Sequence, residues 1–411
     1  MSIKRDCIII GLTGSFGSGC TLVSNYLKEK LSFNRYSLSD FIKEIAKKEK
    51  GDDYTRSDLQ DIGNRLRRVN KDTAFLAKKV IKLIEENPDN GPIVIDSFRN
   101  QGEVLEFLKF SNFFLIAIDA NFDVRWKRLS PQYKDNLYQF KIDDERDKGE
   151  DNIYGQQVQK CVDMADIVII NDEDFPKNTR SESEFIGKLA KYVEMIIKPG
   201  LQNPTKKEAF MNIARAESLR SLCLQRKVGA VIVKIVDEKR ALDEEKVTQL
   251  VIATGYNEVP LGIRPCIEQG GCYRDKVKFK QIESLIYCPF CGNKFKKKNF
   301  CSKCHKNMNK ELFQNKYLDF CRALHAEETA ILQASKLGSI SLENAWLYTT
   351  TFPCFLCSKM IVDIGIKKVI YIEPYPSEEA RELLNLSGIV LDKFEGVTAQ
   401  GYYKLYRYVK I

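Results

Sequence analysis

The sequence has very little histidine and tryptophan and no long apolar run. Only two histidines and two tryptophans occur among its 411 residues, so a metal site that uses imidazole can draw on very few side chains. No apolar stretch approaches the roughly 18 residues that a membrane-spanning helix needs. The first residues, "MSIKRD", lead into a strand-like segment without the pattern of a secretory signal peptide. We therefore expect a cytoplasmic protein that does not contact a membrane.

Cysteine is abundant by contrast, with 13 residues, several of them in close pairs. In a reducing compartment such cysteines are better explained by metal binding than by disulfides, and zinc is the leading candidate. The formal net charge of +9 permits contact with nucleic acid. It does not require such contact, because a basic surface also attracts phosphorylated small molecules.

The length and the pattern of apolar residues predict two α/β domains. Strand-like runs such as "CIIIGLTG" and "FFLIAIDA" alternate with helix-period segments over residues 1–197, which is typical of a parallel sheet. Segment 198–204 contains Pro, Gly and Asn and is predicted to be an exposed linker. Residues 205–411 are predicted to form the second domain, with an insertion at 276–316.

The second domain carries the motif with the clearest chemistry, in "CRALHAEETAIL" and "TTFPCFLCSKMI". His325 precedes Glu327 by two positions, and Cys354 and Cys357 form a Pro-Cys-x-x-Cys pair. This is the pattern of zinc-dependent nucleobase deaminases. One imidazole and two thiolates leave the fourth tetrahedral position of zinc to a water, whose pKa the metal lowers to about 7. Glu327 is then expected to carry protons between that water, the ring nitrogen and the departing ammonia.

A simpler interpretation of the same residues stays open. His325 would then be a capping or core histidine, and Cys354 and Cys357 would form half of a structural zinc knuckle. The order of the two halves, each opening a helix after a strand-like run, favours the catalytic interpretation.

Residues from about 205 to 390 resemble the deoxycytidylate deaminases. The similarity rests on "RKVGAVIV", "ATGYNEVPLG", "HAEETAI", "TTFPCFLCSKMI" and "GIKKVIY", which occur in the family's order. The resemblance implies that Asn257 contacts the sugar hydroxyl and that the backbone amide of Ala326 binds the pyrimidine carbonyl. It further implies that Arg226 meets phosphate and that Tyr375 flanks the base.

Two of these assignments have alternatives in which the residue has no functional role, and one position departs from the sequence pattern of the family. In the alternative interpretation, Asn257, beside Gly255, is a turn asparagine and Arg226 is a charged side chain in solvent. Glu258 replaces the glycine of the family's "GYNG" and places a carboxylate near the sugar and phosphate. The phosphorylation level of the substrate, dCMP or dCTP, therefore stays open.

The insertion contains two CxxC pairs separated by nine residues. Their cysteines are Cys288, Cys291, Cys301 and Cys304. Four thiolates close a tetrahedral zinc site, so this pattern predicts a structural zinc ribbon that performs no chemistry. Free buried cysteines or a redox pair are the alternative. Cys266, Cys272 and Cys321 lack an evident fourth ligand, and a further metal site there stays open, as some deoxycytidylate deaminases bind a second metal nearby.

A glycine-rich turn, "GSFGSGCT", follows the first strand-like run and matches a phosphate-binding loop except for its lysine, which is replaced by Cys20. With "DSFRNQGEVLEFL" and "FDVRWKRL", the loop resembles the nucleotide and nucleoside monophosphate kinase branch of the P-loop proteins, which implies a nucleotide and Mg²⁺. The predicted nucleotide-binding residues are Gly14, Gly17, Gly19, Thr21 and Asp96. A thiol cannot compensate the charge of a transferring phosphoryl group, so we expect nucleotide binding without kinase activity.

The favoured function is zinc-dependent deamination of free deoxycytidine nucleotides to deoxyuridine nucleotides. A P-loop domain fused to such a deaminase resembles bacterial anti-phage deaminases, which implies depletion of the dCTP pool, control by the first domain, and an inhibitory partner or RNA. The family also implies a homo-oligomer, such as a hexamer. The alternatives are a housekeeping dCMP deaminase, a deaminase that edits tRNA or single-stranded DNA, and a nucleotide-binding regulator without activity.

Overall fold

The protein divides into two compact units. The first comprises Met1–Pro204 together with Glu395–Ile411, and the second comprises Thr205–Phe394. A computed structural model describes residues 7–87, 91–150, 152–172, 180–200, 202–236, 247–277, 288, 291–292, 303–304, 320–338, 341–373 and 377–407. No helix in these residues is long and apolar enough to span a bilayer.

The first unit is an α/β domain built on one sheet. Its strands are β1 (Ile9–Thr13), β2 (Asn34–Ser37), β3 (Ile93–Phe98), β4 (Phe113–Asp119), β5 (Ile167–Ile170) and β11 (Gly396–Val397). Its helices are α1 (Cys20–Leu31), α2 (Asp40–Lys50), α3 (Arg56–Val69), α4 (Phe75–Glu86), α5 (Gln101–Phe107), α6 (Phe122–Leu129), α7 (Leu137–Lys148), α8 (Val158–Asp163), α9 (Arg180–Ile197) and α14 (Ala399–Tyr406).

The strands lie in the order β11-β5-β4-β1-β3-β2, and the five from β1 to β5 are parallel. β1 and β4 read as continuous apolar runs because both of their faces are buried between helices. β1 lies in the middle, between β3 and β4, so the loop that leaves its carboxyl end lies where strand order changes direction. Ligands of open α/β sheets bind at this position, and it holds the glycine-rich turn.

The second unit is a three-layered α/β/α domain, as predicted. Its strands are β6 (Gly229–Ile235), β7 (Gln249–Tyr256), β8 (Trp346–Thr351), β9 (Lys368–Glu373) and β10 (Val390–Lys393), in the order β10-β9-β8-β6-β7. Its helices are α10 (Lys206–Ser218), α11 (Ala326–Leu337), α12 (Phe355–Asp363) and α13 (Glu378–Leu386). Strand β6 runs antiparallel to β7 and β8, whereas β8, β9 and β10 are parallel.

Two hydrophobic clusters cover the two faces of this second sheet. Met211 and Ala214 of α10 pack on one face. Ala330 of α11 and Ile361 of α12 pack on the other. A side chain at Gly255 would place its Cβ 2.4 Å from the carbonyl oxygen of Ala326, so this glycine lets β7 approach the start of α11 closely.

The last residues of the chain belong to the first unit, which corrects the domain predicted over 205–411. Strand β11 pairs antiparallel with β5, and α14 follows it. The hydroxyl of Thr398 donates to the carbonyl oxygen of Ala165 at 3.1 Å, and Lys404 forms an ion pair of 2.6 Å with buried Asp166. A strand of two residues produces no periodic pattern, which is why the sequence did not indicate this return.

Candidate metal centre and substrate cavity

The predicted metal ligands lie where two helices of the second unit begin. His325 is the N-cap residue of α11, and Cys354 is the N-cap residue of α12, which follows β8 through Phe352. Cys357 lies in the first turn of α12 and is fully buried. The amide of His325 donates to a carboxylate oxygen of Glu328 at 2.6 Å, which fixes the backbone at the start of α11.

The three side chains converge in a geometry that fits zinc. Nδ1 of His325 lies 3.2 Å from Sγ of Cys354 and 3.3 Å from Sγ of Cys357, and all the ligand atoms lie within 4.8 Å of one another. Zn–S bonds of about 2.3 Å and Zn–N bonds of about 2.0 Å at tetrahedral angles place nitrogen and sulfur ligands about 3.5 Å apart. The arrangement supplies three protein ligands, the number found in catalytic zinc sites, whereas structural sites have four.

Contact between these groups shifts their proton affinities. The hydrogen bond with Cys357 lowers the pKa of Cys354 to about 4, and the His325 ring acts in the same direction. The Cys354 sulfur in turn raises the pKa of His325 to about 9. The thiolate form of Cys354 is therefore favoured at neutral pH, and thiolate is the form of cysteine that binds metal.

Glu327 lies beside the three ligands without being one of them. The residue is 4% exposed, and its Oε2 lies 3.7 Å from Sγ of Cys357. Burial raises the pKa of Glu327 to about 7, because the charged form loses its hydration. At neutral pH such a carboxyl group can both accept and donate a proton.

A cavity of about 280 Å³ opens next to this centre. It is lined by Cys223, Gln225, Arg226, Val228, Asn257, Arg274, Cys321, Ala323, His325, Ala326, Glu327, Thr351, Phe352 and Cys354. The predicted residues Asn257, Ala326 and Arg226 therefore share one cavity with Glu327. Their roles toward a substrate stay predictions, and Tyr375 lies outside the described residues.

Asn257 makes contacts that the sequence did not indicate. Its Oδ1 accepts from the amide of Val228 at 2.8 Å, and its Nδ2 donates to the carbonyl oxygen of Arg226 at 2.9 Å. Ser221 donates to the carbonyl oxygen of Asn257 at 2.8 Å. The side-chain amide thus holds the segment that carries Arg226 into β6.

Arg226 has a carboxylate partner at the end of β9. Its guanidinium lies 3.3 Å from Oε2 of Glu373, and the hydroxyl of Thr351 donates to the same oxygen at 3.2 Å. Arg274 also lines the cavity, and no motif in the sequence pointed to it. The cavity therefore carries two guanidinium groups beside the metal centre.

Further cysteines line an adjoining cavity of about 300 Å³. They are Cys223, Cys266, Cys272 and Cys321. Cys223 was not grouped with the other three from the sequence because it precedes them by more than 40 positions in the chain.

Three of the four predicted zinc-ribbon ligands are brought together. The sulfur atoms of Cys288, Cys291 and Cys304 lie within 4.8 Å of one another, and those of Cys288 and Cys304 are 3.8 Å apart. That separation fits two thiolates on one tetrahedral zinc ion, which lie about 3.8 Å apart. Cys301 and most of the insertion at 276–316 lie outside the described residues.

The glycine-rich turn of the first unit encloses the start of α1. Gly14, Gly17 and Gly19 all have positive φ angles. A Cβ at Gly14 would lie 2.1 Å from the carbonyl oxygen of Ile118, so only glycine fits there. Gly19 is the N-cap residue of α1, and such a helix start presents backbone amides to an anion.

Of the other predicted residues in this unit, Thr21 faces a cavity at the turn, whereas Asp96 does not line it. Oδ2 of Asp96 accepts from Arg35 at 2.7 Å and from Ser24 at 2.8 Å, and Oδ1 accepts from Ser37. The Arg35 guanidinium therefore neutralises the carboxylate of Asp96, which was predicted to bind nucleotide. Nucleotide and Mg²⁺ binding stay predictions for these residues.

Comparison with known proteins supports this two-part organisation. Residues 204–373 match the cytidine and deoxycytidylate deaminase zinc-binding region, and residues 10–152 match an AAA domain. The chain thus joins a zinc-binding nucleobase deaminase domain to a P-loop domain. It is 33% identical over 174 residues to the deoxycytidylate deaminase of Enterobacteria phage T4, covering 41% of this chain and 79% of that protein. The protein belongs to the deoxycytidylate deaminase family.

Longer deoxycytidylate deaminases from yeasts are also similar to this chain. The enzyme of Schizosaccharomyces pombe is 32% identical over 202 residues, covering 48% of this chain and 47% of that protein. That of Saccharomyces cerevisiae is 32% identical over 197 residues, covering 47% and 46%. The chain therefore spans about half the length of these two relatives.

Proposed function

We propose that the second unit deaminates free deoxycytidine nucleotides, dCMP or dCTP, to the corresponding deoxyuridine nucleotides. The observation that carries this proposal is the convergence of His325, Cys354 and Cys357 beside buried Glu327 at the wall of one cavity. The similarity to proteins named deoxycytidylate deaminase supports the choice of substrate.

The residues of the cavity divide the reaction between them. Zinc held by His325, Cys354 and Cys357 would supply a Lewis acid that makes water nucleophilic at neutral pH. Glu327 takes one proton from the attacking water at its carboxylate and passes it to the ring nitrogen. It then takes the second proton from the hydroxyl group added to the ring carbon and passes it to the departing amino group. One water is consumed and one ammonia leaves, so the same carboxyl group is regenerated. Arg226 attracts the 5′-phosphate.

The role of Glu327 is tested by Glu327→Gln. We expect kcat to fall by about 10²–10⁴-fold, because the amide cannot carry the proton while it keeps the shape of the side chain. Ammonia release and zinc content are measured together, and zinc should be retained. Glu382→Gln, an exposed carboxylate on α13, is the matched control. Full activity of Glu327→Gln would refute the mechanism.

The substrate is tested with a panel of dCMP, dCTP, cytidine, single-stranded DNA and tRNA. We expect turnover of the free deoxycytidine nucleotides, since the cavity of about 280 Å³ suits one small molecule. Turnover of a polymer alone would instead establish an editing deaminase. Turnover of none, with zinc bound, would favour a regulator without activity.

We further propose that the first unit binds a nucleotide, with Mg²⁺ as its expected companion, and controls the deaminase, in defence against phage infection. The support is the glycine-rich turn at the carboxyl end of β1, joined in one chain to a deaminase domain. Control predicts that deamination by the full chain responds to added nucleotides and that Gly14→Ala abolishes the response. Defence predicts fewer plaques in cells that make the protein than in cells that make Glu327→Gln.

The proposed depletion of dCTP would require that an inhibitory partner or RNA keep the deaminase inactive before infection. The family separately leads us to expect a homo-oligomer. Purification from uninfected cells followed by light scattering and nucleic-acid extraction tests both points. A fully active monomer isolated without bound RNA or protein would refute both the inhibitory partner and the homo-oligomer.

A further inference from the structure

The cavity at the glycine-rich turn has an unusual balance of charge. It measures about 350 Å³, and Ser15, Gly17 and Thr21 of the turn form part of its wall. The charged side chains that line it are Lys43, Arg56, Arg67 and Arg99. All four are cations, and within the described residues no carboxylate lines the cavity.

Carboxylates outside the cavity lining neutralise only part of this positive charge. Arg67 is buried, and its Nε and Nη2 donate to one oxygen of Glu103 at 2.9 and 2.7 Å. Arg56 and Arg99, however, share a single carboxylate: Nη2 of Arg56 lies 2.8 Å from Oδ1 of fully buried Asp147, and Nη1 of Arg99 contacts its other oxygen. Among the described residues, two guanidinium groups against one carboxylate leave one positive charge unbalanced in these ion pairs.

The positions of these groups are fixed before any ligand arrives. The Arg56 guanidinium lies over the ring of Phe16, 4.8 Å from its centre, and so stays beside the turn. Its Nε is buried and has no hydrogen-bond partner among the described residues. Arg56 is therefore held in place by the ring of Phe16 and by the carboxylate of Asp147.

Gln60 also lines this cavity, beside the arginines. It is 2% exposed, and its Nε2 donates to the carbonyl oxygen of Asp143 at 3.1 Å and to Asp147 at 3.4 Å. Both partners are acceptors, so the amide orientation is fixed and Oε1 faces away from them. Within the described part of the chain this buried oxygen accepts no hydrogen bond. Gln60 therefore helps to hold Asp147, the carboxylate shared by Arg56 and Arg99, in place.

We propose that Arg56 and Arg99 bind the phosphate of a small phosphorylated ligand against the turn, in place of the lysine that the turn lacks. The inference rests on the proposed nucleotide-binding role of the first unit and deepens it. Planar guanidinium groups bind phosphate through paired hydrogen bonds, so they suit binding of the ligand. A nucleoside phosphate supplies the anion that this cationic lining suits.

The test is calorimetric titration of the full chain with inorganic pyrophosphate. We expect Arg56→Gln and Arg99→Gln each to weaken binding about tenfold or more, because a hydrogen bond to a charged group is worth at least that factor. Arg68→Gln, an exposed arginine on the same helix as Arg56, should leave the affinity unchanged. Repeating the titration with Arg226→Gln identifies any pyrophosphate that binds in the second unit.

Two further variants keep the test decisive if the glutamine variants unfold. Arg56→Lys and Arg99→Lys retain the charge opposite Asp147 but lose the paired donors, so we expect intermediate affinities. Unchanged affinity in every arginine variant would overturn the inference and leave the proposed nucleotide-binding role standing. If the wild-type first unit takes up neither pyrophosphate nor dCTP, both fail.

Discussion

The two units both place a cavity at the start of helices, but the N-cap residues give these helix starts different chemistry. In the first unit the N-cap is Gly19, which has no side chain and leaves backbone amides facing the cavity. In the second unit the N-caps are His325 and Cys354, whose side chains converge with Cys357. The same backbone feature is thus suited to an anion in one unit and to a metal ion in the other.

The charges around the two cavities differ in the same sense. Among the described residues, every charged side chain that lines the first cavity is a cation, whereas the lining of the second sets Arg226 and Arg274 beside buried Glu327. A cavity that only attracts an anion is suited to binding. A cavity that adds a carboxyl group able to carry protons is suited to chemistry.

The largest effect is expected from removing a metal ligand. His325→Ala should lower the zinc content by about one ion per chain and reduce ammonia release to background, because the site keeps only two ligands. Cys288→Ser should also lower the zinc content by about one ion per chain while retaining part of the activity, since that cluster lies outside the cavity. Metal analysis beside the activity assay separates the two. Equal loss of activity in both variants would show that the two clusters do not have separate roles.

The next effect is expected in the first unit. Gly14→Ala would place a Cβ 2.1 Å from the carbonyl oxygen of Ile118, at a φ of 150° that side chains rarely adopt. We expect a loss of at least about 2 kcal/mol in the free energy of unfolding, together with loss of pyrophosphate binding. Gly149→Ala is the matched control, because a Cβ there meets nothing within 4 Å. Normal stability and binding of Gly14→Ala would mean that the turn does not shape the cavity.

A smaller effect is expected at Asn257, where the cavity of the second unit depends on backbone contacts. Asn257→Asp replaces the donor that faces the carbonyl oxygen of Arg226 with an acceptor. We expect this to cost about 1–3 kcal/mol in the free energy of unfolding. The KM for dCMP should rise as Arg226 loses its position. Asn385→Asp, at an exposed site on α13, is the control for added charge. A raised KM without loss of stability would instead assign Asn257 a direct contact with the sugar.

The sequence predicted the metal centre better than the charged cavity of the first unit. His325, Glu327, Cys354 and Cys357 stand in two short segments whose spacing is itself the signal, and each segment begins a helix. Arg56 and Asp147 lie 91 positions apart in the chain, and no short sequence pattern indicates that their side chains are in contact. The return of β11 to the first sheet was missed for a similar reason, because pairing over long distances in the chain leaves no periodic pattern.

The smallest effect is expected at Cys20, and it bears directly on where the positive charge of the first cavity comes from. Burial raises the pKa of this thiol to about 11, so it is neutral at pH 7 and supplies no charge to a phosphate. Cys20→Ala should change the affinity for pyrophosphate by less than about twofold, since no charged hydrogen bond is lost. Cys20→Lys adds a cation to the turn and should increase the affinity. If Cys20→Ala instead weakens binding as much as Arg56→Gln, the thiol itself contacts the ligand. The first cavity would then depend on a cysteine as the second one does, and the contrast between the two cavities would no longer hold.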